Sequence, residues 1–164
     1  MEQSSLYTND EIIDIYNRNV NTVYKICLMY LKNIPDAEDA VQNIFLKLIQ
    51  GNHRFKNLEH EKAWLILTSQ NHCKNILKHW WKKQRVDIDN ISEISYEENN
   101  TFDDIWKQIL LLPNKYKIVI YLYYYEGYST EEISEILNIK SPTIRSQLST
   151  ARKKLKIILE EDIE

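Results

Sequence analysis

The chain has 164 residues, of which 43% are hydrophobic and 27% charged, a composition that suits one globular domain or two small ones and argues against disorder throughout. Its two glycines and three prolines are too few for a turn-rich all-β fold, and no apolar run approaches the roughly 18 residues that span a bilayer. The N-terminus lacks the basic and apolar segments of a signal peptide. We therefore expect an all-α protein that stays in the cytoplasm without membrane insertion.

The net charge of −3 hides a blocked charge pattern. Residues 61–86 carry six Lys or Arg against one acid, residues 87–111 carry seven acids against one Lys, and residues 140–159 carry six bases and no acid. Phosphate binding depends on local cation density, because each neutralised phosphate releases counterions. The pattern predicts two basic patches that flank an acidic connection.

The first predicted helix covers residues 10–32, behind a cap at Thr8–Asn9–Asp10. Its expected core-facing residues lie near helical spacing and are Ile12, Ile13, Tyr16, Val20, Val23, Tyr24, Cys27 and Leu31. Cys27 and Cys73 are isolated in sequence among apolar positions, so we expect reduced, buried thiols and no disulfide. The four histidines have no ligand partner at metal spacing, so we expect surface histidines, no metal and no cofactor.

The second predicted helix covers residues 36–50 and begins with acids, which a helix N-terminus favours. Its predicted apolar face consists of Ala37, Ala40, Val41, Ile44, Phe45 and Leu48. Leu46 projects from the opposite side, among polar residues that include Asp39, Gln42 and Asn43. An exposed Leu is common on protein surfaces, so partner docking and an ordinary surface residue both stay open from this pattern.

A third, long helix is predicted from Leu58 to Lys83, after a loop at Gly51–Asn57. One side carries Ile66, Cys73, Leu77, Trp80 and Trp81. Another side forms an amide, imidazole and ammonium stripe of Thr68, Asn71, Asn75, Lys78, His79 and Lys82. Such groups suit contacts with exposed bases and phosphates, although a solvated charged face is the commoner explanation for any one of them.

The acidic segment 85–101 lacks a helical or strand pattern, and we interpret it as a linker. A short helix capped by Thr101 should follow, through Leu111, with Asp103 and Asp104 in its first turn. The next helix is predicted over Pro113–Glu126 and ended by Gly127. Its IVIYLYYY stretch favours a strand by propensity, but the flanking motif needs a supporting helix here.

The most informative stretch runs from residue 125 to 155 and predicts a helix-turn-helix. Ser129 and Glu132 have capping-box spacing, and Asn138 tolerates the left-handed angles that end a helix. Ser141 is the predicted N-cap of the second helix, with Pro142 in its first helical position. The apolar stripe of that helix is Ile144, Leu148, Ala151, Leu155 and Ile158. A basic, acid-free opposite face is typical of a major-groove reader, and an ordinary amphipathic helix is the alternative.

Two small helical domains, an acidic linker and a C-terminal helix-turn-helix resemble a bacterial alternative sigma factor of the ECF type. The boundaries are 1–84 for the region-two-like domain, 85–101 for the linker and 102–164 for the region-four-like domain. DAEDAVQNIFLKL is similar to the region-two helix that docks on the clamp coiled coil of the polymerase β′ subunit. The resemblance implies polymerase contacts by Asp39, Gln42, Asn43 and Leu46.

KAWLILTSQN is similar to the family segment that captures an unstacked base of the minus-ten element, which implies this role for Asn71. The other DNA contacts expected on that helix are Asn75, Lys78 and Lys82. The C-terminal motif resembles region four, which reads the minus-thirty-five element, and the expected contacts there are Thr143, Arg145, Ser146, Gln147, Ser149, Thr150 and Lys153. Gln147 and Thr150 replace arginines of the family motif, so the preferred sequence should shift away from guanine-directed contacts.

The resulting prediction is a non-enzymatic sigma factor that binds core RNA polymerase, through the β′ clamp coiled coil and the β flap, and directs initiation at promoter DNA. The resemblance also raises the expectation of an anti-sigma factor as a partner. The alternative is a helix-turn-helix regulator that binds duplex DNA as a dimer without acting as a sigma subunit. A third reading is an α-helical interaction module with acidic protein partners.

Overall fold

The structure is a computed structural model that describes residues 6–84 and 104–161. These residues form two compact units, one in each range, and each unit is described by itself. The predicted all-α class is confirmed in the described residues, where every regular element is a helix. The predicted linker at 85–101, like the Thr101 cap and Asp103, lies outside the described residues.

Three helices make up the first unit: α1 (Asn9–Leu31), α2 (Ile34–Gln50) and α3 (Leu58–Gln84). Each of the three packs against the other two. Thr8 and Glu11 form a reciprocal capping box at the start of α1. At the start of α2, the Asn33 side chain accepts a hydrogen bond from the Asp36 amide. Lys32, at φ 54°, ends α1 in the left-handed region and lets the chain reverse into α2.

The core of the first unit confirms the predicted α2 face, since all six of its apolar residues are buried. The prediction was wrong for Ile13 and Tyr16 on α1, which are 54% and 43% exposed. Only one side of this part of α1 is buried, and consecutive residues lie about 100° apart around a helix, so Ile13 and Tyr16 turn away from that side. The buried positions of that stretch belong to Ile15 and Asn19 instead.

A second correction concerns Trp81, which is 50% exposed although it was predicted on the apolar side of α3. Its neighbour Trp80 is half-buried, and the same 100° step turns the second indole outward. The other apolar residues of that side behave as expected, because Ile66, Cys73 and Leu77 are buried.

A buried carboxylate ties α3 to α1. Glu61 accepts from the Nε and Nη2 of Arg18 at 3.2 and 3.1 Å, and from the Nδ2 of Asn19 at 2.8 Å. A buried charge needs such partners because its desolvation is unfavourable. The contacts fix the start of α3 and therefore the loop that precedes it. Gly51 opens this loop where a Cβ would lie 2.4 Å from the His53 ring, so no larger residue fits without a shift.

Four helices make up the second unit: α4 (Asp104–Leu110), α5 (Asn114–Tyr124), α6 (Thr130–Leu137) and α7 (Ser141–Glu161). The helix predicted over IVIYLYYY is confirmed, although it is shorter than expected at both ends. Five consecutive apolar residues, 118–122, are buried, because α5 packs against α4, α6 and α7. Burial on all sides overrides the strand propensity of these residues.

The helix-turn-helix is formed by α6 and α7. The Ser129–Glu132 capping box and the left-handed Asn138, at φ 54°, are both confirmed. The predicted N-cap of α7 was wrong by one residue, since the Ile144 amide donates to the Lys140 carbonyl and places Ser141 inside the first turn. The Ser141 hydroxyl instead accepts from Arg145, its neighbour one turn along α7.

Within residues 6–84 and 104–161, none of the helices combines the length and apolarity of a membrane span.

Candidate polymerase-binding and DNA-binding surfaces

The predicted polymerase contacts lie on one face of α2, which we call the docking face: Asp39, Gln42, Asn43 and Leu46. Their i, i+3, i+4, i+7 spacing brings them together on the side opposite the core. Leu46 is 47% exposed, as the sequence predicted. Asp39 and Gln42 are exposed, whereas Asn43 is half-buried and donates to the Asp39 carboxylate at 3.5 Å. The face is thus an apolar side chain surrounded by polar groups.

The predicted minus-ten contacts form a stripe along α3, the α3 stripe: Asn71, Asn75, Lys78 and Lys82. All four side chains are exposed, at i, i+4, i+7, i+11 spacing. Within the described part of the chain, none of them has a hydrogen-bond or ion-pair partner. The stripe therefore offers amides and ammonium groups that can bind bases and phosphates without first losing an internal contact.

The loop before α3 carries a feature that the sequence analysis missed. An open cavity of about 420 Å³ lies there, and its lining residues are Tyr7, Arg54, Phe55, Asn57, Leu58 and Glu61. The Phe55 ring packs near His53, His60 and Trp64, and the Tyr7 hydroxyl donates to the His53 carbonyl at 2.5 Å. An aromatic wall beside a guanidinium suits a planar base. The signal was the aromatic and cationic composition of residues 53–56, which a search for helical periodicity passes over.

The histidine prediction was wrong for two residues. His53 is half-buried, with its ring 4.6 Å from that of Trp64. His72 is also half-buried, and burial and the Lys47 ammonium, 3.0 Å from its Nδ1, lower the pKa of His72 below its usual value. Both rings contribute to packing between elements of the first unit, which sequence spacing alone does not reveal.

The cysteine prediction is confirmed as to state, since Cys27 and Cys73 are both free and buried. They are not isolated in space, however. A hydrogen bond with the Cys27 thiol, together with burial, raises the pKa of Cys73. The raised pKa keeps this thiol protonated and unreactive. Among the residues that the structure describes, no His, Cys, Asp and Glu group is arranged to hold a metal ion.

The predicted minus-thirty-five contacts lie on α7, away from its buried stripe of Ile144, Leu148 and Ala151. Five of them are exposed: Thr143, Arg145, Ser146, Ser149 and Lys153. Gln147 and Thr150 are only half-exposed, and the Oε1 of Gln147 is buried without a hydrogen-bond partner. The two positions that depart from the family motif are thus also the least accessible of the set.

The other cations of α7 differ in what holds them. The Arg152 guanidinium donates from Nε to the Tyr124 hydroxyl at 2.7 Å and lies over the rings of Tyr123 and Tyr124. The hydrogen bond to Tyr124 raises the pKa of Arg152. Lys154 lies over the Tyr116 ring, 5.8 Å from its centroid. These side chains join α7 to α5. Some of the basic residues that were predicted to face solvent therefore pack against a neighbouring helix.

Taken together, these surfaces define a two-part DNA-binding protein. One part is a helix-turn-helix whose second helix presents hydroxyls and cations. The other part is a three-helix unit that combines an amide and ammonium stripe with an exposed leucine on a separate helix.

Comparison with known families agrees with this class. The model for sigma-70 region 2 matches residues 15–85, and the model for sigma-70 region 4 matches residues 102–155. The chain is similar to the RNA polymerase sigma factor SigV of Bacillus subtilis, at 28% identity over 141 residues that cover 85% of each chain. It is 26% identical to the ECF RNA polymerase sigma factor SigW of the same organism, over 89% of this chain and 86% of that one.

A solved structure shares the fold. The sigma factor RpoE from Bartonella quintana, in a complex with the anti-sigma factor NepR, superposes with a TM-score of 0.70 over 92% of this chain and 95% of that one, at 22% identity.

The chain belongs to the sigma-70 family of RNA polymerase sigma factors and is of the ECF type. It binds core RNA polymerase and directs promoter recognition and transcription initiation. The region 2 match over residues 15–85 does not favour the alternative prediction, a helix-turn-helix regulator that works without the polymerase.

Proposed function

We propose that the N-terminal domain, residues 1–84, docks on the clamp coiled coil of the β′ subunit through Asp39, Gln42, Asn43 and Leu46. The exposure of Leu46 on the face of α2 opposite the core is the observation that carries this proposal. A large apolar side chain ringed by polar groups has the make-up of an interface anchor, in which the ring excludes water from the central contact.

The same domain contacts the minus-ten element through the α3 stripe. Asn71 binds an unstacked base, while Lys78 and Lys82 neutralise phosphates and Asn75 adds a further polar contact. The exposure of these side chains and their lack of partners within the described residues support the assignment. The cavity before α3 is a second place for an unstacked base, because Phe55 and Arg54 line it together.

The C-terminal domain, residues 102–164, reads the minus-thirty-five element with the exposed face of α7 and also meets the β flap. Thr143, Arg145, Ser146 and Ser149 lie within the first three turns of α7. The N-terminal part of a recognition helix is the part that enters the major groove in helix-turn-helix complexes. Residues 85–101 link the two domains, and Lys153 contacts the DNA backbone.

The protein performs no catalysis of its own and acts in the cytoplasm, where its polymerase partner supplies the chemistry. An anti-sigma factor is a further proposed partner. The relative RpoE was solved in a complex with an anti-sigma factor, and that complex supports the proposal.

In vitro transcription with core polymerase over a randomised promoter library tests the proposed function. We expect transcripts that depend on the added protein and that start downstream of a selected pair of sequence elements. DNA binding without transcription would favour an independent regulator and contradict the proposal. Core polymerase alone is the control for background initiation.

A further inference from the structure

The two arginines of α7, Arg145 and Arg152, are held in different ways. The guanidinium of Arg152 lies 5.2 Å from the Tyr123 ring centroid and 5.6 Å from that of Tyr124, and it also donates to the Tyr124 hydroxyl. Cation–π contacts with two rings and the hydrogen bond to Tyr124 commit this group to packing against α5. Arg145 is therefore the arginine of α7 that stands available for base edges.

Arg145 is held by polar groups only. Its Nη1 donates to the Ser141 hydroxyl at 2.7 Å and lies 3.9 Å from the Oε1 of Glu131. Ser141 lies one turn earlier on α7, and Glu131 lies in the first turn of α6. The other Glu131 oxygen accepts from the Thr130 hydroxyl at 3.1 Å, so the carboxylate is itself oriented.

These contacts have a geometric consequence. A guanidinium is planar and carries five N–H donors in a fixed fork. Partners on Nη1 restrict the plane of the group and leave the Nε and Nη2 edge, with its two parallel donors, open. That edge matches the O6 and N7 acceptors of guanine, which arginine binds with two hydrogen bonds.

We propose that Ser141 and Glu131 are positioning residues that orient Arg145 to read a guanine in the minus-thirty-five element. Arg145 is then the specificity-determining arginine of α7, since Arg152 is committed to its contacts with Tyr123 and Tyr124. The inference rests on the proposed function, in which α7 reads this element.

Replacing Glu131 offers a test, because the loss of its charge should raise the affinity for DNA, whereas the loss of its positioning role should lower the discrimination between bases. Its side chain is 70% exposed at the N-terminus of α6, the helix that crosses the DNA backbone in helix-turn-helix complexes. Removing an acid near phosphates raises the affinity for any DNA sequence. If Glu131 also positions Arg145, the same change lowers the discrimination between guanine and other bases. Glu135, exposed one turn further along α6, is the matched control because it has no ion pair with Arg145.

The experiment uses holoenzyme, assembled from core polymerase and the full chain, on a promoter library randomised over the minus-thirty-five element. The variants are Arg145→Ala, Ser141→Ala, Ser141→Thr, Glu131→Gln and Glu135→Gln. We expect Arg145→Ala to relax the preference for one guanine by about 5- to 150-fold. Ser141→Ala should relax the same preference by about 2- to 10-fold, the range of one hydrogen bond. Glu131→Gln, which removes an exposed ion pair rather than a hydrogen bond, should relax it by about 1.5- to 5-fold. Ser141→Thr, which keeps the hydroxyl, should restore the preference, and Glu135→Gln should leave it unchanged.

Three outcomes overturn the inference and can be told apart. If Arg145→Ala relaxes the preference for a guanine while Ser141→Ala and Glu131→Gln keep the wild-type preference, Arg145 reads DNA but is not positioned by these residues. If Arg145→Ala leaves the base preference unchanged at every position of the element, the assignment of Arg145 under the proposed function fails as well. Thermal melting of each variant checks the fold, and equal loss at every position would mean a structural effect and would also contradict positioning.

Discussion

The α3 stripe and the exposed face of α7 are both basic surfaces with polar residues between the cations, but they differ in how the rest of the molecule holds them. Asn71, Lys78 and Lys82 have no polar partner among the described residues. On α7, Arg145 and Arg152 are both held, one by Ser141 and Glu131 and the other by Tyr124.

The difference suggests a division of labour. Cationic side chains without an intramolecular partner can adapt to a distorted or single-stranded DNA backbone, and they mainly add salt-dependent affinity. Held cations lose less side-chain freedom on binding and favour one orientation, which gives sequence specificity. We therefore expect the first domain to contribute attachment and strand capture, and the second domain to contribute sequence choice.

The largest effect should come from Leu46→Asp, which tests whether attachment to the polymerase depends on the first domain. An anchor residue of an interface is worth about 2 kcal/mol or more, so we expect at least a roughly 30-fold loss of affinity for core polymerase. Titration of core polymerase in the absence of DNA measures this loss. Leu58→Asp is the control, because Leu58 is 60% exposed in the same domain but lies outside the docking face. Equal binding by both variants would remove Leu46 from the interface.

The next largest effect is expected from two variants of the α3 stripe that distinguish base capture from phosphate binding. Asn71→Ala should lower open-complex formation by about 10-fold at every salt concentration, because a base contact is lost. Lys78→Ala should have its main effect at low salt and flatten the salt dependence, because a phosphate contact is lost. Permanganate reactivity of promoter thymines, over a salt series, measures both. Identical profiles for the two variants would argue that Asn71 does not bind a base.

On α7, Lys153→Ala should weaken upstream promoter binding uniformly across sequences. A single phosphate contact contributes about 0.9 to the slope of log K against log salt, so the slope should fall by about that amount. Arg145→Ala is the internal comparison, since it should change sequence preference as well. A change in base preference with Lys153→Ala would show that this cation does more than bind the backbone.

The smallest effect should come from Tyr124→Phe, which removes the hydroxyl that accepts from Arg152 but keeps the ring. We expect the free energy of unfolding of the second domain to fall by about 0.5 kcal/mol, with unchanged minus-thirty-five discrimination. Denaturant unfolding and the promoter library provide the two measurements. Loss of discrimination without loss of stability would place Arg152 among the DNA-reading residues and weaken the contrast between the two arginines.

The sequence predicted best where short-range rules apply. Capping boxes depend on residues three positions apart, so the Ser129–Glu132 box could be predicted from spacing alone, and the structure confirms it. The apolar face of α2 was also fully predicted, because one clean stripe leaves a single way to bury it. Adjacent hydrophobic residues were predicted less well, since periodicity does not say which of Trp80 and Trp81 turns inward.

The sequence by itself determined that this chain is all-α and where its helix-turn-helix lies. It also determined that Leu46 lies on the side of α2 opposite the buried face. These features follow from helical periodicity and local hydrogen bonding, which act within a few residues. Only the tertiary structure decided which polar groups are available. Arg152 is held by Tyr124, 28 residues away, and Glu61 is held by Arg18, 43 residues away. Such contacts depend on how helices pack, because side chains that are distant in sequence meet only when the apolar faces between them are buried.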